Sequence, residues 1–167
     1  MPLDASVGGS AATSYLTVAA ADLLASSDLG RDAKTWLAAT TDEKVAALIR
    51  ATDEIDSEIG RVVNPATATQ ALLFPRADDL ALDGVTRILP IRLQRAVYLQ
   101  AAFLLRNANV LDDAASFRAR GLTNFSNPDG TSGQVADDPG FGRLHPRARA
   151  LLTEFAEGSV IGIIVPT

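Results

Sequence analysis

The segment that most constrains the fold is IRLQRAVYLQAAFLLRN, residues 91–107, which follows Pro90. It consists of strong helix formers, and from Val97 to Leu105 it is almost continuously apolar. A helix that is apolar on most sides must be buried on most sides. Pro90 is also well placed at the first turn of such a helix. The sequence therefore predicts a central helix that is surrounded by other elements.

A second strong helix signal lies in TTDEKVAALIRATDEIDSEIG, residues 40–60. Thr40 and Glu43 have the spacing of a capping box, and Gly60 is a typical C-terminal stop. The opposite face is acidic, so this helix is predicted to be amphipathic. The residues of its inward face recur at steps of three and four: Val45, Leu48, Ile49, Thr52, Ile55 and Ile59.

Shorter helices are predicted on both sides of this pair. Thr17 is a suitable N-cap for a helix that ends near Ser26, and the next helix carries Trp36. Two more are predicted in LDDAASFRARG and HPRARALLTEFAEG, whereas the prolines and the Asp83-Gly84 pair in residues 61–90 indicate a structured loop. The predicted class is all-α: a small helical bundle with a short β-hairpin or loop insertion and an extended C-terminal arm. Its expected core anchors are Trp36, Leu48, Ile55, Phe74, Tyr98 and Leu104.

We expect three regions along the chain. Residues 1–14 are small and polar and predict a flexible N-terminal segment, and residues 15–157 form the helical domain with a glycine-rich loop at 121–145. Residues 158–167 form an apolar arm. As a strand this arm would be apolar on both faces, so it must be covered either by another chain or by its own domain. The arm residues expected to bind are Val160, Ile161, Ile163, Ile164 and Val165.

Composition and charge limit the functions that this chain can have. The chain has 167 residues, 47% of them hydrophobic, with no cysteine, one histidine and a net charge of −5. Because it has neither a leader pattern nor a long apolar run, we expect a soluble cytoplasmic protein. The negative charge is concentrated in residues 1–60, whereas Arg87, Arg92, Arg95 and Arg106 have no acidic residue between them. Such a chain could stack acidic face to basic face, lie near nucleic acid, or simply expose a solvated arginine face.

No residue pattern predicts catalysis, so we expect neither an enzyme nor a cofactor. The glycine-rich NPDGTSG lacks the lysine of a phosphate-binding loop, and Asp78, Asp79 and Asp83 lack the spacing of a calcium loop. His145, which precedes Pro146 at a helix start, is interpreted as structural or exposed.

Four stretches in order resemble a known family: YLTV, WLAATTDEKVAALIRATDEID at 36–56, QALLFPR at 70–76 and LPIRLQRAVYLQAAFLL. Together they resemble the head-tail connector (adaptor) proteins of long-tailed bacteriophages and gene transfer agents, over about residues 15–106. Some members of that group carry a label that suggests single-stranded DNA binding, by analogy with a primosome protein.

The resemblance implies a structural subunit of a homo-oligomeric ring, typically a dodecamer, between the portal protein and a downstream head-completion or tail protein. DNA would pass through the channel, no membrane would be involved, and the protein would lie at the head-tail junction of a virion after assembly in the host cytoplasm. The arm would then bind the portal or a neighbouring subunit. The residues expected to line the channel or an inter-subunit contact are Arg87, Arg92, Arg95, Arg118 and Arg120.

Two alternatives remain open. The first is a single-stranded DNA-binding accessory protein, which a salt-dependent affinity for single strands would favour. Its weakness is the scarcity of aromatic residues, 5% of the chain, because single-strand binders stack bases on aromatic rings. The second is a small-molecule hydrolase.

Overall fold

The computed structural model describes residues 2–59, 65–81, 84–107, 124–126, 132–134 and 144–156. Within these ranges the chain forms five helices and one pair of short antiparallel strands, so the predicted all-α class is confirmed. The helices are α1 (Val18–Ser26), α2 (Arg31–Ala38), α3 (Thr41–Ile59), α4 (Ile91–Arg106) and α5 (Pro146–Ala156), and the strands are β1 (Asn124–Ser126) and β2 (Ser132–Gln134).

The predicted caps are present. The hydroxyl of Thr17 accepts the backbone N–H of Ala20 at 3.1 Å and begins α1. At the start of α3, Glu43 accepts the backbone N–H of Thr40 at 2.8 Å, and the Thr40 hydroxyl accepts the N–H of Glu43 at 3.3 Å. The capping box is thus reciprocal, and it satisfies two of the N–H groups that a helix start leaves without partners.

Helix α4 is the centre of the bundle, as its apolar run predicts, and it packs against α2, α3 and α5. Leu93, Ala96 and Val97 are completely buried on it. The Trp36 ring of α2 meets the Tyr98 ring edge-to-face at 6.1 Å between centroids, a favourable aromatic arrangement. All six expected core anchors are buried: Trp36, Leu48, Ile55, Phe74, Tyr98 and Leu104.

Residues 2–14, predicted as a flexible start, instead make specific backbone contacts with the domain and with one another. The carbonyl of Asp4 accepts the N–H groups of Thr13 and Ser14, and the carbonyl of Gly9 accepts the N–H of Ala71. Gly8 has a φ of +70°, which glycine adopts without strain. These are polar main-chain contacts, and hydrophobic periodicity carries no signal for them.

The connecting segments differ in detail from the sequence expectation. The described part of residues 61–90 contains two isolated antiparallel bridges, Pro65 with Arg76 and Leu80 with Arg87, rather than a continuous hairpin. The ladder lies instead in the glycine-rich loop, where Phe125 of β1 faces Gly133 of β2. The arm at 158–167 with its five apolar side chains, the helix predicted at 111–121, Arg118 and Arg120 all fall outside the described residues. Among the residues described, no helix is long and apolar enough to span a membrane.

Candidate nucleic-acid interface

The first two turns of α4 present exposed positive charge. Arg92 and Arg95 are both exposed, and their i,i+3 spacing places them on one side of the helix. Leu93 and Ala96 are completely buried and face the core, so the side that carries Arg92 and Arg95 points away from it. Ile91, which is 55% exposed, shares this outer side with Arg95 at i,i+4 spacing.

Arg87 lies on the loop that leads into α4. Its guanidinium donates to the carbonyls of Arg76 and Ala77, both at 3.1 Å, and the side chain is exposed. Carbonyl acceptors orient a guanidinium without neutralising its charge. The sequence has no acidic residue from 84 to 107. We call Arg87, Arg92 and Arg95 the arginine face.

Arg106, the fourth arginine of this run, is not part of that face. It is eleven residues beyond Arg95, which corresponds to about 16 Å along a helix axis. Its guanidinium lies 2.5 Å from Oδ1 of the buried Asp32 as an ion pair, although the geometry is not that of a hydrogen bond. The arginines that form one uninterrupted run in the sequence are therefore divided by position: Arg106 lies beside Asp32, whereas Arg87, Arg92 and Arg95 lie before and at the start of α4.

Among the aromatic side chains whose burial the structure describes, none is exposed beside the arginine face. The aromatic side chains described there are all buried or half-buried: Tyr15, Trp36, Phe74, Tyr98, Phe103 and Phe155. Their rings pack on one another or on the core, so they are not available as a platform for bases. The chemistry offered by the described surface is therefore recognition of phosphate by guanidinium groups.

His145 has a structural position at the start of α5. Its backbone N–H donates to Oε1 of the buried Gln100 at 2.6 Å, and its Nδ1 accepts the N–H of Arg147 at 3.2 Å. This geometry assigns the proton of the neutral ring to Nε2, which lies 3.5 Å from the Asp32 carboxylate. Burial lowers the pKa of His145; Arg147 and Arg106 act in the same direction and Asp32 opposes them. The imidazole thus caps a helix, in agreement with its interpretation as a structural residue.

A second polar cluster holds the QALLFPR segment in place. The Tyr15 hydroxyl donates to Asp56 at 2.6 Å and accepts the N–H of Phe74 at 3.1 Å. The other carboxylate oxygen of Asp56 accepts the N–H of Leu73 at 3.2 Å. Burial raises the pKa of Asp56 and that of the Tyr15 hydroxyl. These groups are fully occupied with one another and with the backbone, so the cluster positions a loop.

Sequence reasoning missed both polar clusters, although one signal for the first was visible. Gln100 interrupts the apolar run of α4, and a polar side chain that is buried there must find partners. Asp56 carried no such signal, because the acidic residues of α3 were interpreted together as a solvated face.

One of the three aspartates considered for calcium, Asp79, has another role, and Asp83 lies outside the described residues. Asp79 accepts the N–H and the guanidinium of Arg76, whose charge lies over the Phe74 ring at 5.4 Å. Among the described residues, no group of three histidine, cysteine, aspartate or glutamate side chains could hold a metal ion.

Comparison with known proteins identifies the family. A family model described as "Putative DnaT-like ssDNA binding protein" matches residues 1–120. No curated protein and no solved structure matches the chain.

This match corrects the assignment made by resemblance. The head-tail connector assignment is wrong, and the connector, portal and virion descriptions lose their basis with it. The physical reason lies in the motifs that carried the resemblance. QALLFPR is held by Tyr15 and Asp56, so it reports how a loop packs and not what the protein binds. The match favours the first alternative, single-stranded DNA binding.

Proposed function

We propose that this chain, which belongs to the family of DnaT-like single-stranded-DNA-binding proteins, binds single-stranded DNA through the arginine face. The observation that carries the proposal is the exposed pair Arg92 and Arg95 on the first turns of α4, within a stretch that lacks acidic residues. Both guanidinium groups lie on one side of a rigid helix, so two charges can contact neighbouring phosphates without reorganisation of the backbone.

The contact is with the backbone of the strand. Aromatic stacking supplies much of the affinity and base preference of many single-strand binders, and the described aromatic rings are buried or half-buried here. We therefore expect weak discrimination among base sequences and a strong dependence on salt. For single strands the logarithm of the affinity falls by about 0.7 per phosphate contact for each tenfold increase in salt, which gives a slope of about −2 for three contacts.

The distribution of charge also orients the strand. Helix α3 carries exposed Asp42, Glu43 and Asp53, and these carboxylates repel phosphate. An approaching strand is therefore steered away from α3 and toward the basic loop and the start of α4.

The test is the affinity of the full chain for a fluorescently labelled oligo(dT), measured by anisotropy over a range of salt concentrations. The double variant Arg92→Glu/Arg95→Glu is expected to lose affinity on the order of tenfold, with a salt slope that is shallower by about 1.4. The matched control is Arg31→Glu/Lys34→Glu, which reverses two exposed cations with the same i,i+3 spacing at the start of α2.

The control is expected to bind nearly as tightly as the wild type. Wild-type protein that shows no salt-dependent binding would contradict the function itself. A double variant on α4 that binds no more weakly than the control would contradict the assignment of the arginine face.

A further inference from the structure

We propose that helix α3 of a second copy of this chain docks on the arginine face, so that self-association and single-stranded DNA compete for one surface. The competition rests on the proposed function, whereas the self-association does not. Two surfaces of the chain carry the inference, because they match in apolar character and are opposite in charge.

The first surface is a hollow with a volume of about 470 Å³ on the outer side of α3. Its apolar part consists of Val45, Ala46 and Ile49. Val45 and Ile49 belong to the periodic apolar set of α3, but the domain leaves them only half-buried, while Leu48 of the same set is completely buried. The amphipathic stripe of α3 is therefore wider than its own core requires.

The charges around this hollow are net negative. Asp42 and Asp53 line it, together with Arg50. Arg50 is already engaged, because its guanidinium donates to Glu54 at 3.1 Å on the next turn. The hollow thus offers apolar contact beside two carboxylates and favours a partner that is both apolar and basic.

The arginine face has the complementary character. Ile88 and Ile91, which are 45% and 55% exposed, adjoin Arg87 and Arg92 in the chain. These aliphatic side chains offer no ring on which a base could stack. Beside the arginines they supply apolar surface next to positive charge, which is the combination that the hollow on α3 favours.

The two surfaces cannot meet within one molecule. Helix α3 packs against α4 through the side that carries Leu48 and Ile55, and Ala46 and Asp53 lie on its exposed side. The hollow therefore faces away from the α4 of its own chain, and the match can be satisfied only between copies. Because the two surfaces differ, a pair of copies that uses one hollow and one arginine face leaves one of each open, so association continues beyond a dimer.

The test uses the full chain in sedimentation velocity at increasing protein concentration. We expect the average mass to rise with concentration in low salt and to fall when salt is raised, because the contact pairs opposite charges. A short oligo(dT) that accommodates a single copy is expected to lower the average mass by occupying the arginine face.

The variant that isolates the contact is Ala46→Arg, which places a cation at an exposed position in the hollow, against the arginines of the next copy. Like charges brought together across a contact are costly, so the association constant is expected to fall at least about tenfold. The matched control is Ala19→Arg, the same exchange at an exposed position of α1, and it is expected to associate like the wild type. Neither variant changes the arginine face, so both are expected to bind oligo(dT).

The outcomes separate the two proposals. A wild type that stays monomeric in low salt would overturn the self-association. The occupant of the hollow would then be residues 158–167 of the same chain or another protein. Equal association of the two variants would overturn the assigned contact, and association that persists in saturating oligo(dT) would overturn the competition. Absence of any binding to oligo(dT), with salt-sensitive and Ala46-dependent association intact, would overturn the proposed function and retain the contact between copies.

Discussion

Nε2 of His145 lies 3.5 Å from the carboxylate of Asp32, while Nδ1 of the same ring accepts the backbone N–H of Arg147 at 3.2 Å. The ring also meets Phe103 edge-on, with 5.5 Å between centroids. One imidazole therefore connects the first turn of α5 to both α2 and α4. It can do so only while Nδ1 is unprotonated, since a protonated nitrogen cannot accept the N–H of Arg147.

The first prediction is a loss of stability in mild acid. Because the pKa of His145 in the folded chain lies below its ordinary value of 6.5, the unfolded chain binds a proton more readily. The contribution of His145 is therefore complete above 6.5 and is lost as the pH falls from 6.5 through the lower folded value. Chemical denaturation of the wild type and of His145→Gln between about pH 8 and about pH 5 measures this dependence.

Contributions from the carboxylates are common to both proteins, including the opposite contribution of Asp56, whose raised pKa penalises the folded state as the pH increases. The difference between wild type and His145→Gln isolates the imidazole. Parallel curves for the two proteins across this range would show that His145 is not linked to folding.

The second prediction concerns the hydroxyl of Tyr15. Tyr15→Phe leaves the N–H of Phe74 without its acceptor and removes the donor to Oδ1 of Asp56, whose other oxygen keeps the N–H of Leu73. The expected loss is about 1–3 kcal/mol in the free energy of unfolding, measured by urea denaturation. Tyr98→Phe is the control, because its hydroxyl donates to Asp28 over a longer 3.3 Å, and a smaller loss is expected. Equal losses in the two variants would contradict a special role for the Tyr15 cluster.

The third prediction concerns the start of α3. Thr40→Ala removes the hydroxyl of the capping box and is expected to lower the free energy of unfolding by about 1 kcal/mol. Thr41→Ala changes the same residue type at the next position, which is exposed and already helical. It is expected to change the free energy of unfolding little. The comparison is made by urea denaturation under identical conditions, and a Thr41 variant as unstable as the Thr40 variant would argue against the cap.

The fold was largely predictable where its signals are local. The capping box of α3 spans four residues. The apolar run of α4 lies within one helix and by itself predicts that this helix is central. The polar clusters were not predictable in this way. Tyr15 and Asp56 are 41 residues apart, and His145 and Gln100 are 45 apart, so neither pairing leaves a periodic pattern in the sequence.

The candidate site was predictable only in part. Arg92 and Arg95 were identified from the lack of acidic residues around them, and they are exposed. Arg106 was grouped with them because the sequence does not show that Asp32, more than 70 residues earlier, supplies its counter-charge. The function inferred from resemblance failed for a related reason, since segments that pack a loop can be shared by proteins with different partners.

The fourth prediction concerns Gln100, the polar residue in the apolar run of α4. Its side chain donates to Glu54 at 2.7 Å and accepts the N–H of His145 at 2.6 Å, so it connects α3 to the start of α5 while it is itself completely buried. Gln100→Leu makes α4 more apolar, yet it leaves the N–H of His145 without an acceptor and removes the donor to one oxygen of Glu54, whose other oxygen keeps Arg50. We expect it to lower the free energy of unfolding by about 1–3 kcal/mol, because an unpaired buried polar group costs more than the added apolar contact returns.

The matched control is Gln94→Leu on the same helix. Gln94 is half-buried and donates to the carbonyl of Leu89 at 2.9 Å, so its site is closer to water than that of the completely buried Gln100. Urea denaturation is expected to rank Gln100→Leu as clearly less stable than Gln94→Leu. Hydrogen exchange should locate the difference at the first turn of α5, because that is where the lost acceptor acts; a uniform change over the whole domain would contradict this assignment.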